Sequence, residues 1–112
     1  MNLKGNYLGE FEELVLISVA ALAEDAYGVS IMNYITSETG RNSNISAVHE
    51  VLKRLQRKGY LKSRMGGATQ ERGGRRKRYF NLTASGKKTL EEAIKLKVQL
   101  YRQVPDISFK LA

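Results

Sequence analysis

The sequence predicts a mainly α-helical fold with one small antiparallel β-hairpin, and three observations carry that prediction. Apolar residues recur at helical spacing along four separate stretches. Two short segments, YLKSRM at 60–65 and KRYFNL at 77–82, alternate as half-buried strands do. Between them lies GGATQERGGRR, a glycine-rich connection too polar to pack, so the simplest geometry joins the two segments as a hairpin with a long tip. The order is helix, helix, helix, hairpin, helix. No internal repeat or composition break marks a second domain in 112 residues.

The first helix is expected from about Gly9 to Ala23. Leu8, Phe11, Val15, Val19 and Leu22 recur at helical spacing, while Leu14, Leu16 and Ile17 spread apolar surface beyond one stripe. A helix that apolar must be covered on more than one side, by the core alone or by the core and a second subunit. After a turn at Tyr27 and Gly28, VSIMNYITSETG makes a short second helix, with Ile31 and Ile35 inward and Gly40 as its stop. Asn44 is placed to cap a third helix, about Ile45 to Lys58, which ends at Gly59. Ile45, Val48, Val51, Leu52 and Leu55 share one face of that helix; Ser46, His49, Glu50, Lys53, Arg54 and Arg57 occupy the reverse. In the hairpin, Phe80 and Leu82 do not share a face with Tyr79 or Asn81. Thr83 caps a last helix running to about Gln103, before Pro105.

On the last helix Leu90, Ala93, Ile94, Leu96, Val98, Leu100, Tyr101 and Val104 cover about half the circumference, more than one small domain can shelter. Dimerisation is the expectation, through Phe11 and Leu14 of the first helix and Leu90, Ile94, Val98 and Tyr101 of the last. The expected organisation is one domain over 1–112: a helix-turn-helix followed by a wing at about 8–82, a dimerisation helix at 83–104, and a tail at 105–112.

Charge is unevenly placed. Residues 1–50 hold two cations and seven acids, residues 51–82 eleven cations and one acid, and residues 83–112 six cations and three acids, for a net +8. One face or arm of the molecule is therefore strongly electropositive and suits a polyanion; an anionic membrane surface is the competing partner. The hairpin resolves the choice toward a duplex. Its buried strand residues anchor a basic tip beside a cationic helix, and glycines 66, 67, 73 and 74 let the backbone turn sharply or approach a phosphate. The third helix suits a major groove, with Ser46, His49, Glu50 and Lys53 toward bases and Asn44 and Arg57 toward phosphate. The wing supplies Arg64, Arg72, Arg75, Arg76, Lys77 and Arg78, arginine being well shaped for a narrow minor groove. Glu50 either accepts from a cytosine amino group or pairs with Lys53 or Arg54; Arg54 is either an ion-pair partner or a DNA contact; Tyr79 either bonds a phosphate or covers arginine side chains.

Other classes find little support. The chain has no cysteine and a single histidine, His49, so no thiol chemistry, metal cluster or histidine triad can be assembled. No catalytic residue, metal or cofactor is expected. The glycines do not match a P-loop or dinucleotide fingerprint. LVLISVAALA, the longest apolar stretch, is roughly half a bilayer span, and MNLKGNYLGE lacks the apolar block of a secretory signal. A cytoplasmic, nucleoid-associated protein is the expectation, with no membrane partner.

LGEFEELVLISVAAL, then DAYGVSI, ISAVHEVLKRLQRKGYL and ERGGRRKRYFNLTASGKKTL, resemble in order the PadR-type winged-helix transcriptional regulators over about residues 8–95. The resemblance implies a winged helix-turn-helix that dimerises through its first and last helices, binds palindromic operator DNA and usually represses. The single C-terminal helix is similar to the small subgroup, some members of which bind flat aromatic drugs between subunits. Two departures stand out. His49 and Glu50 replace the family's common tyrosine and its small or basic neighbour. The chain has no tryptophan, leaving Tyr101 and Tyr7 as the aromatics available to a small effector. A winged-helix module for an acidic protein or for RNA is the alternative reading.

Overall fold

The computed structural model describes residues 7–66 and 76–105. The chain forms α1 (Glu10–Leu22), a 3-10 turn (Ala23–Asp25), α2 (Gly28–Thr39), α3 (Ile45–Arg57), strands β1 (Leu61–Met65) and β2 (Arg78–Leu82), and α4 (Ala84–Tyr101). The wing's expected glycines 67, 73 and 74, its cations Arg72 and Arg75, and residues 106–112 of the tail lie outside the described residues.

Local chemistry sets the helix ends. Ala23, at φ +53, breaks α1 in a conformation that alanine seldom adopts. Gly40 closes α2 in the left-handed region at φ +73, and its N–H donates to the Thr36 carbonyl. The Asn44 carboxamide oxygen accepts from Ala47 N at 2.8 Å, so the cap expected for α3 is formed. Gly59, at φ +83, turns the chain out of α3 into β1.

The core draws on all four α-helices and both strands. Val15, Leu16 and Val19 of α1, Ile31 and Ile35 of α2, and Val48, Val51, Leu52 and Leu55 of α3 pack with Ala26, Tyr60, Leu61, Phe80 and Leu90. In α1 the burial departs from the expected stripe: Leu16 is fully buried, whereas Leu8, Phe11 and Leu22 are only partly covered. Helices α2 and α3, strand β2 and α4 all pack against α1, so it is covered on more than one side.

β1 and β2 pair antiparallel, from Leu61 opposite Leu82 to Met65 opposite Arg78. A second attachment fixes this hairpin to the body: Phe80 N donates to the Ala26 carbonyl at 2.9 Å, and Tyr27 bridges Tyr79.

Thr83 joins the hairpin to α4. Its N–H donates to the Tyr60 carbonyl, its hydroxyl donates to the Gly59 carbonyl at 2.6 Å, and the same oxygen accepts from Gly86 N at 3.0 Å. This brings α4 against the backbone of Tyr60 so closely that a β-carbon at Gly86 would collide with the Tyr60 carbonyl. The helix ends at Tyr101, two residues before the expected Gln103. Tight turns from Leu100 to Gln103 and from Tyr101 to Val104 finish it ahead of Pro105.

The expected dimer face needs one correction. Leu90 is 8% exposed and belongs to the chain's own core, because the Thr83 cap presses the first turns of α4 onto the hairpin. Phe11 and Leu14 are partly buried against that core. Ile94, Val98 and Tyr101 remain 40%, 40% and 54% exposed.

Gly86→Ala is expected to lower the unfolding free energy by about 2 kcal/mol or more, since the backbone it meets cannot rotate away. Ser85→Ala, at the exposed neighbouring position, should leave the denaturant midpoint unchanged.

Candidate nucleic-acid interface

The outer side of α3 is bare. Asn44, Ser46, His49, Glu50, Lys53 and Arg57 are all exposed, while Val48, Val51, Leu52 and Leu55 turn inward. Ser46, Glu50, Lys53 and Arg57 follow one another at helical spacing and form a continuous polar ridge. Beside it, His49, Lys53 and Gln56 share a groove of about 590 Å³ with Arg76, Lys77 and Arg78 at the root of the hairpin, floored by Tyr27, Gly28, Val29, Leu52 and Phe80. The helix and the wing root therefore present cations into one concavity. Asn44, Ser46, Glu50 and Arg57 lie outside that groove.

Three sequence alternatives are narrowed by the geometry. Arg54 donates from Nε to Glu12 Oε2 at 3.1 Å and is a structural ion-pair partner. Glu50 makes no ion pair among the described residues and keeps its carboxylate toward solvent. Tyr79 covers an arginine: the Arg64 guanidinium carbon sits 4.9 Å from its ring centroid. Arg64 also donates to Glu24 Oε1 at 3.2 Å. Arg64, expected as a wing contact, is thus engaged by an acid from the 3-10 turn and by an aromatic ring, while its side chain stays half exposed.

Sequence reasoning missed Glu12, Tyr27 and Gly28. Glu12, one of three acids in the first turn of α1, is 7% exposed. Its Oε1 accepts from Gly9 N at 2.7 Å, and its Oε2 accepts from Arg54 and from Lys58 Nζ, the latter at 2.9 Å. Burial raises its pKa, but the Gly9 N–H and the Lys58 and Arg54 side chains outweigh burial together and hold the carboxyl below its ordinary value. An acid in the first turn of a core helix, with surplus cations at the end of another, was the available signal. Tyr27 carries Lys77 Nζ 4.2 Å from its ring centroid, and its ring meets Tyr79 edge-on at 5.6 Å. Gly28 lets α2 approach His49: a β-carbon there would lie 2.5 Å from the imidazole Nε2. Among the described residues, no three His, Asp or Glu side chains are grouped to hold a metal ion, and no helix is long and apolar enough to cross a membrane.

An amphipathic helix with its polar side uncovered, set against the basic root of a two-stranded hairpin, defines a winged helix-turn-helix protein. Residues 16–92 match the transcriptional regulator PadR-like family, and the chain belongs to that family. A PadR family transcription regulator from Clostridium difficile superposes with a TM-score of 0.61 at 25% identity, over 82% of this chain and 88% of that one. Bacillus subtilis PadR, solved in complex with operator DNA, gives 0.62 at 22% identity over 76% of this chain; the match spans 46% of that longer protein. A Streptococcus transcriptional regulator gives 0.70 at 21% identity over 95% of both chains. No curated protein sequence matches the chain.

Because the Glu12 carboxyl is depressed in the folded state, its contribution is complete above the unfolded-state pKa and is lost as pH falls through the folded value. Glu12→Gln should destabilise by about 1–3 kcal/mol at pH 7, less than a fully buried pair would cost because Arg54 and Lys58 can turn to water. Thermal melts of both proteins across the acid range should show the gap closing below about pH 4.

Proposed function

We propose that this chain is a homodimeric, sequence-specific DNA-binding regulator that represses by occupying a palindromic operator. The observation that carries the reading is the shared groove, in which His49 and Lys53 of α3 face Arg76 and Lys77 of the hairpin root. α3 would lie in the major groove and read base edges through Ser46, His49, Glu50 and Lys53, with Asn44 and Arg57 on phosphates. The cap leaves the Asn44 amide nitrogen free to donate. Arg76 and Lys77, with Arg72 and Arg75 beyond the described residues, would neutralise the flanking backbone. The operator complex of Bacillus subtilis PadR supports a duplex as partner, and a cytoplasmic, nucleoid-associated location is part of the same proposal.

Dimerisation rests on the exposed apolar side of α4, where Ile94, Val98 and Tyr101 recur at helical spacing, together with Phe11 and Leu14. A small aromatic effector would bind near this interface. Tyr7, at 72% exposure, flanks a groove of about 500 Å³ between the start of α1 and α4.

If each subunit neutralises about four phosphates, log affinity should fall against log salt with a slope of about −7. In a competition gel against bulk DNA at physiological salt, the protein should retain a preferred duplex. Indifference among duplexes, or retention of RNA or an acidic protein instead, would replace the operator reading. Arg76→Glu with Lys77→Glu should weaken every duplex alike and flatten the slope by about 3 to 4. His49→Ala should instead change which sequences win. On the other side of the molecule, Ile94→Asp should yield monomers by light scattering, and a persisting dimer would refute the role given to α4.

A further inference from the structure

We infer that the dipeptide Tyr27-Gly28 positions the wing relative to α3, setting the distance between the two cationic elements of the DNA-binding groove. The two residues are adjacent in sequence, yet each touches a different half of that groove. Tyr27 reaches the hairpin: its backbone bridges Tyr79 of β2, its ring meets the Tyr79 ring edge-on at 5.6 Å and 77°, and Lys77 Nζ rests 4.2 Å from its centroid. Gly28 reaches α3: the backbone of the first residue of α2 lies where any β-carbon would press on His49.

The two contacts act as a spacer of fixed length. A peptide unit is rigid, so the backbone points from which Tyr27 reaches the hairpin and Gly28 reaches α3 are held a fixed distance apart, and the bridge to Tyr79 carries that spacing into β2. The far side of the hairpin is closed in the same way. Arg64 covers the outer part of the Tyr79 ring while paired to Glu24. Gly66 N donates to the Lys77 carbonyl at 2.7 Å, and a β-carbon at Gly66 would come within 2.6 Å of the Tyr79 ring. Lys77 is thus a wing cation whose ammonium already rests against the Tyr27 ring before any phosphate arrives. A preset cation loses less conformational freedom on binding.

The inference rests on the DNA-binding reading, and one set of measurements separates the two. Affinity for a mixed-sequence duplex is measured against salt for the wild type, Tyr27→Leu, Lys77→Ala and the double variant, with melts confirming folding. If Tyr27 acts by aiming Lys77, Tyr27→Leu weakens binding about tenfold and flattens the slope by about 2 for a dimer, the loss of one phosphate contact per subunit. Lys77→Ala does the same, and the double variant shows no further loss. Tyr27→Phe, which keeps the ring, binds as the wild type does. A Tyr27→Leu protein that melts lower but keeps the wild-type slope, or losses that add in the double variant, would overturn the inference. Should Tyr27→Leu fail to fold, Tyr79→Val in the same cycle removes the opposing ring while suiting a strand, with the same two outcomes. A wild type without salt-dependent duplex binding would refute the parent reading instead.

Discussion

Val48, Val51, Leu52 and Leu55 hold α3 to the rest of the molecule, and they occupy one side of it only. A helix meant to enter a groove cannot be clamped from both sides, so its orientation rests on the interlocking of that one face. Glu12 adds a polar restraint at its end. Its buried carboxylate takes Arg54 and Lys58 from the C-terminal end of α3, where basic side chains also complement the helix dipole. At the other end Gly28 abuts His49. Among the described residues, the polar ridge of Ser46, Glu50, Lys53 and Arg57 carries no side-chain hydrogen bond or ion pair that would have to be broken before a partner could approach.

The same pairing shapes the electrostatic field. Acids of the first fifty residues do not form a separate negative face; four of them hold cations. Glu10 takes Arg41, Glu12 takes Arg54 and Lys58, Glu13 takes Lys97, and Glu24 takes Arg64. Exposed pairs such as Glu10–Arg41 add little stability, about 0–1 kcal/mol. Their consequence lies in what they remove from the field. Among the described residues the cations Lys53, Arg57, Lys62, Arg76, Lys77, Arg78, Lys87, Lys88, Lys95 and Arg102 make no ion pair. Lys53, Arg76, Lys77 and Arg78 of these line one groove, where a concave wall concentrates their field.

Features decided by neighbours in sequence were legible. Asn44 and Thr83 cap their helices because a short oxygen-bearing side chain reaches an N–H three residues on, and alternation found both strands because their side chains face opposite ways. The single-sided burial of α3 was legible for the same reason. Contacts between distant residues were not. Arg64 reads as one cation in a basic run until the 3-10 turn brings Glu24 to it across forty residues. Leu90 reads as part of a half-apolar helix, yet the close approach at Gly86 decides that it faces inward and Ile94 does not. Periodicity identifies a face; only the tertiary arrangement says what that face meets.

That limit bears most on α4. The helix has 18 residues, a length of about 27 Å. Its tertiary hold is concentrated in the first half, at the Thr83 cap, Gly86 and Leu90. Beyond them, the Lys97–Glu13 pair ties it back to α1 at 2.7 Å, while Leu96, Val98, Leu100 and Tyr101 stay largely exposed. The second half continues a helix already nucleated by the packed first half, but its apolar side finds little cover in its own subunit. In the proposed dimer that cover comes from the partner. Glu12 and Glu13, neighbours on α1, tie α3 and α4 to the same turn.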